Sequence, residues 1–112
     1  MINKVTELLP NFIGKGRMKM YQFKQIKNNE FAYIYELRNI YTDNIHYEVF
    51  KRKITNTYDY KTKTLTHKFK VSYPNDKDFG KWAWSIVNKD KAFNKFNHLS
   101  ELGKQNIIYE KI

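Results

Sequence analysis

Phe31-Ala32-Tyr33-Ile34-Tyr35-Glu36-Leu37 alternates along its whole length, with Phe31, Tyr33, Tyr35 and Leu37 on one side and Ala32, Ile34 and Glu36 on the other. Successive side chains of an extended chain point to opposite faces, so a segment that is fairly apolar on both sides reads as the central strand of a sheet covered on both faces. The same period of two recurs outward from it. A strand over about 19–26 precedes it across Asn28-Asn29. Another, over 45–54, follows Tyr41-Thr42-Asp43-Asn44 and sets Ile45, Tyr47 and Val49 opposite His46, Glu48 and Phe50. The cleanest alternation lies at 64–73: Leu65, His67, Phe69, Val71 and Tyr73 face one way, and Thr64, Thr66, Lys68, Lys70 and Ser72 face the other. The connections are of hairpin length, which predicts four consecutive antiparallel strands in a meander.

The flanks follow from breakers and caps. Thr57-Tyr58-Asp59-Tyr60-Lys61-Thr62 is polar and predicts the turn of a hairpin between the third and fourth strands. Pro74-Asn75-Asp76 ends the sheet, and Asp78-Phe79-Gly80 bends the chain again. Asn88 is placed to cap a helix with Ala92, Phe93, Phe96 and Leu99 at helical spacing and Gly103 as its stop, so this helix is expected to cover one sheet face. Val5, Leu8 and Leu9 suggest a helical turn stopped by Pro10, with Gly14 and Gly16 as a hinge into the sheet. Ile107-Ile108-Tyr109 suits either a last strand or a docking tail. The expected architecture is a single α+β domain: an N-terminal arm (1–18), a four- or five-stranded antiparallel meander (19–73), an aromatic turn segment (74–87), a helix (88–103) and a tail (104–112).

Composition bounds the function. With 112 residues the chain has room for one core. It carries 21 Lys+Arg against 11 Asp+Glu, no cysteine and 17% aromatic residues. The lack of cysteine excludes a disulfide framework, a thiolate zinc site and a thiol nucleophile. No apolar run approaches the ~18 residues of a membrane span and no signal-peptide pattern opens the chain, so the expectation is a cytoplasmic protein with no membrane partner. Charge is concentrated in two stretches. Residues 15–27 hold Lys15, Arg17, Lys19, Lys24 and Lys27 with no acid, and residues 51–70 hold Lys51, Arg52, Lys53, Lys61, Lys63, Lys68 and Lys70 against Asp59 alone. The rest of the chain is close to neutral. Such clustering points to contact with a polyanion, whereas solvated lysines on strand faces and edges are the plainer reading.

Chemistry-bearing motifs are sparse. His46, His67 and His98 form no metal-ligand spacing, and His67, among apolar neighbours, reads as a half-buried histidine. No metal or cofactor is expected. Gly14-Lys15-Gly16-Arg17 fits neither phosphate-loop nor dinucleotide-loop spacing. His46, Glu48 and Arg52 share parity on one strand, which would suit a small metal-independent RNase, but any basic α+β chain with a few such residues offers as much. Trp82 and Trp84 share a face if their segment is extended, and serve either as core anchors or as stacking platforms. Tyr58 and Tyr60, at the presumed hairpin tip, have little to pack against and are the better candidates for exposed aromatic contacts.

The blocks Leu9-Pro10-Asn11-Phe12-Ile13-Gly14-Lys15-Gly16, Ala32-Tyr33-Ile34-Tyr35-Glu36-Leu37, His46-Tyr47-Glu48-Val49-Phe50-Lys51-Arg52-Lys53, Val71-Ser72-Tyr73-Pro74 and Phe79-Gly80-Lys81-Trp82-Ala83-Trp84, with the helix Lys91-Ala92-Phe93-Asn94-Lys95-Phe96, together resemble a family of small bacteriophage and prophage proteins. The resemblance spans most of residues 8–97, and the Lys-rich stretch 55–68 looks like an insertion into the family pattern. It implies a non-enzymatic inhibitor of a bacterial defence system acting inside the host cell. Anti-CRISPR proteins, including inhibitors of RNA-guided RNA-cleaving (type VI) effectors, are the class it is similar to. The partner so implied is a CRISPR effector or its guide-RNA complex, met through the basic hairpin. A free-standing RNA or single-strand binder and a small RNase are the other two readings.

Overall fold

The computed structural model describes residues 5–110, apart from the side chains of 67 and 106–110. The half-buried position expected of His67 and the packing of Ile107, Ile108 and Tyr109 lie outside the described side chains. The chain is α+β, with two mostly antiparallel sheets and one C-terminal helix. The larger sheet has five strands in the order β2-β3-β4-β5-β8: β2 (Asn11–Ile13), β3 (Tyr21–Asn28), β4 (Ala32–Asn39), β5 (Ile45–Lys51) and β8 (Ala83–Ile86). The smaller has the order β1-β7-β6: β1 (Val5–Thr6), β7 (Thr64–Val71) and β6 (Ile54–Asp59). Among the described strands only β1 and β7 pair in parallel.

The central-strand reading holds for residues 32–37; Phe31, expected on the face of Tyr33, precedes the strand and sets its ring against Gly103 of the C-terminal helix. Tyr33, Tyr35 and Leu37 of β4 bury into one core with Phe23, Phe50, Val71 and Ala83. Ala32 and Ile34 bury on the opposite face with Tyr47, Val49 and three helix residues, Ala92, Phe96 and Leu99. That helix, α1 (Lys89–Glu110), is capped by Asn88, whose Oδ1 accepts from the Lys91 amide at 2.9 Å. It does not stop at Gly103 but runs through residues 107–109, which therefore form neither a last strand nor a separate tail. At Gly103 the helix passes so close to Phe31 that an added Cβ would sit 2.9 Å from the Phe31 Cβ and closer still to its ring. The glycine is a close-approach residue, not a helix stop.

Two features of the meander differ from expectation. The chain leaves the large sheet after Lys51 and enters β6, so residues 45–54 are not one strand. The position beside β5 is taken instead by β8, from the segment read as an aromatic turn. The corner is made by Arg52. Its amide donates to the Phe31 carbonyl at 2.8 Å. Its guanidinium grips Glu7, Nε to Oε1 at 3.0 Å and Nη2 to Oε2 at 2.5 Å. Pairing in the large sheet cannot run past this point, since Lys51 is already opposite Ala32, the first residue of β4.

The N-terminal segment differs as well. Val5–Thr6 is a strand paired with Phe69 and Lys70, and the helical turn near the N-terminus is a 3-10 turn at Gly16–Met18. Core tyrosines latch this segment: Tyr33 donates its hydroxyl to Glu7, and Tyr35 donates to the Leu9 carbonyl at 2.7 Å. Such side-chain partners, remote in sequence, override the weak helical spacing of Val5 and Leu8.

Candidate nucleic-acid interface

The hairpin expected from the polar stretch 57–62 is present, with a tip shifted to 60–63. Residues 54–59 pair with 64–71 across it, and Lys63 at the turn takes a left-handed φ of 56°. Asp59 Oδ1 accepts from the Lys61 amide at 2.9 Å, an Asx turn that fixes the start of the loop. Six residues of β6 at ~3.4 Å each make this arm about 20 Å long.

The arm has two unlike faces. Lys68 and Lys70 lie on the side bearing Thr55, Thr57, Thr66 and Ser72, whose hydroxyls bond one another: Thr55 to Ser72 at 2.8 Å and Thr57 to Thr66. The opposite side carries Ile54, Tyr58 and Leu65, all exposed, with Leu65 at 65%. Tyr60, 85% exposed, folds its ring against Tyr58 edge-on with centroids 4.9 Å apart. The expected meeting of tyrosines with lysines therefore occurs only at the tip, where Lys61 and Lys63 are exposed beside the Tyr58–Tyr60 pair.

The cations named from the sequence divide into free and engaged. Lys51, Lys53, Lys61, Lys63, Lys68 and Lys70 are exposed. Lys53 sits at the base of the arm with its Nζ 4.8 Å above the Trp82 ring. Arg52 is committed: its side chain is 17% exposed, and Glu7 takes both ends of its fork. The Arg52 hydrogen bonds hold the Glu7 carboxyl below the ordinary carboxylate range, against a smaller opposing effect of burial. Burial, aided by Glu7, pushes the Tyr33 hydroxyl up to about 12, so it remains a donor.

The second basic stretch does not gather into one strip. Lys24 projects from β3 between Phe23 and Gln25, opposite Glu36, and Lys27 reaches over the Phe96 ring of α1 at 5.8 Å, so both belong to the helix side. Lys15 and Lys19 flank the 3-10 turn, and Arg17 within it pairs with Asp76. Trp82 and Trp84 also part company. Trp82 precedes β8 and packs on the tyrosine-rich core, whereas Trp84 packs on the helix side under Lys95 Nζ at 3.8 Å. Their shared face was expected of a strand that in fact begins only at Ala83.

No family model, curated protein or solved structure matches this chain. Among the described residues no three His, Asp or Glu side chains are placed to hold a metal ion, and no helix is long and apolar enough to cross a membrane. His46 and Glu48 do sit side by side as their parity requires, Nε2 to Oε2 at 3.8 Å. The cation that would complete a phosphodiester-cleaving set, Arg52, is bound to Glu7 instead.

Sequence reading missed the joint formed by Glu7, Tyr33 and Arg52. The available signal was Tyr33 itself, since a tyrosine on a strand buried on both faces requires a partner for its hydroxyl.

Proposed function

We propose that this protein is a non-enzymatic binding protein that inserts the β6–β7 arm into an RNA-bearing partner, and that it acts as a phage-type inhibitor of an RNA-guided (CRISPR) effector in the bacterial cytoplasm. The observation that carries the reading is the two-faced arm: lysines and hydroxyls on one side, Ile54, Tyr58 and Leu65 exposed on the other. An arm lying on a bare strand uses one face and leaves the other wet. An arm entering the channel of an effector uses both, meeting phosphates on one side and apolar protein surface on the other. The phage-type sequence blocks supply the biological setting.

The test is reconstitution with a type VI effector loaded with guide RNA. Stoichiometric addition is expected to arrest target-RNA cleavage and to yield a complex that survives gel filtration, while free RNA stays intact. An effector that neither binds the protein nor slows in its presence overturns the reading.

A second reading, a free-standing RNA or single-strand binder, draws on the Tyr58–Tyr60 pair at the lysine-flanked tip, where bases would stack on the exposed rings. It predicts binding to bare oligonucleotide of the same strength as to any complex containing it.

A further inference from the structure

On the sheet face away from α1, a cavity of about 810 Å³ opens between the N-terminal segment and residues 73–79, which touch at Phe12–Tyr73 and Arg17–Asp76. This lies within the roughly 300–1,000 Å³ of small-molecule sites. Its walls are apolar: Leu8, Leu9, Phe12, Met18, Phe23 and Phe79. Two acids also line it: Glu48, only 7% exposed, and Asp76, which is exposed and paired with Arg17.

Glu48 is held by one oxygen. Tyr73 donates its hydroxyl to Oε1 at 2.6 Å, and burial, reinforced by the adjacent carboxylate, pushes the Tyr73 phenol well above its usual range, so that bond is kept. Oε2 accepts no hydrogen bond among the described residues and is not fully buried; its nearest basic neighbour is His46 at 3.8 Å, and among the described residues no lysine or arginine lies within 4.0 Å. Removing a carboxylate from water is costly unless a cation meets it. At the rim Lys15 is exposed and Asp76 is taken by Arg17, so selection by charge falls on Glu48.

We infer that this cavity is a binding site for a small organic monoamine, an ammonium group on an aromatic or branched apolar body, with the ammonium on Glu48 Oε2 and the body against Phe12, Met18, Phe23 and Phe79. A polyamine suits it less, because the walls offer a second ammonium no partner. An organic anion is opposed by the buried carboxylate. The site is independent of the arm and of whatever the arm binds.

The experiment titrates the full chain with tryptamine and with indole-3-acetate, following amide shifts and heats of binding. Tryptamine is expected to bind saturably and to move the amides of Gly14, Phe23 and Ser85, while indole-3-acetate does neither. Glu48→Gln should weaken tryptamine at least tenfold. Ser85→Lys provides a second arm of the test, since Ser85 is exposed and directly opposite Glu48 across the β5–β8 pair, so a lysine there supplies an internal ammonium and displaces the ligand. Equal binding of amine and acid, absence of saturable amine binding, shifts confined to the arm, or a folded Ser85→Lys protein that binds tryptamine as the parent does would each overturn the inference.

Discussion

Replacing Lys68 and Lys70 together with alanine tests whether the arm meets phosphate, and Arg52→Gln serves as its control. Of the seven cations in residues 51–70, six are exposed and Arg52 is occupied by Glu7. Each phosphate neutralised on a single strand contributes about −0.7 to the slope of log affinity against log salt, so six free lysines set an upper bound of about −4. Between 50 and 200 mM salt that amounts to an affinity loss of about 300-fold for the parent. The Lys68→Ala/Lys70→Ala protein, with a slope near −3, should lose only about 50-fold over the same range.

Arg52→Gln should leave the slope unchanged while lowering the melting temperature, because it removes a structural ion pair and no phosphate contact. Tyr58→Ser/Tyr60→Ser should also leave the slope alone but weaken binding at every salt concentration. Fluorescence anisotropy on the guide-loaded effector, with the bare guide in parallel, measures all of these. A slope reduced by Arg52→Gln as much as by a lysine substitution would refute the division into free and engaged cations. A slope unmoved by loss of Lys68 and Lys70 would refute phosphate contact by the basic face.

Other outcomes follow from the joints of the fold. Glu7→Gln should cost about 1 kcal/mol at neutral pH, discounted for a carboxylate whose side chain is 50% exposed. Because Arg52 lowers the folded Glu7 pKa below the ordinary 4.5, that stability is present above 4.5 and lost as pH falls through the folded value; urea melts of parent and variant should therefore converge in acid. Tyr33, Tyr35 and Tyr73 all have folded values raised above 10.0, so their contribution is complete below that pH and disappears as pH rises through the folded values. Absorbance at 295 nm and circular dichroism should register tyrosine ionisation and unfolding together in alkali. Tyr73→Phe strips Glu48 Oε1 of its donor and should cost about 2 kcal/mol in a denaturant melt, with less lost when Glu48→Leu accompanies it. Gly103→Ala gains about 1 kcal/mol of helix propensity, yet its Cβ meets Phe31, and overpacking of ~1–3 kcal/mol should make the variant less stable on heating.

The elements legible in the sequence were those defined by their own period. Tyr33, Ile34 and Tyr35 declared a strand buried on both faces; Asn88 with Ala92, Phe96 and Leu99 declared a capped helix and its buried side. What periodicity does not encode is which strand lies beside which. Residues 64–71 alternate as cleanly beside β1 and β6 as they would have beside β5, so nothing local excludes them from the large sheet. Ala83–Ile86 is too short to announce itself as the strand that replaces them. Gly103 illustrates a different limit, since a glycine that ends a helix and one that admits a neighbouring ring look alike in sequence.

The candidate site was legible as a stretch of chain and not as a surface. Residues 54–71 do form a hairpin bearing four of the seven cations, but the same alternation sends Tyr58 and Leu65 away from Lys68 and Lys70. Arg52, counted with its neighbours as a binding cation, is instead the corner where the chain passes from one sheet to the other. That assignment gives the arm its direction: Glu7 follows β1, β1 pairs with β7, and the Arg52 grip on Glu7 therefore ties the strand entering the arm to the strand leaving it. Net charge alone would treat the loss of Arg52 and of Lys53 as equivalent. In the folded chain, loss of Lys53 removes a cation from the base of the arm, and loss of Arg52 loosens the joint that aims the arm.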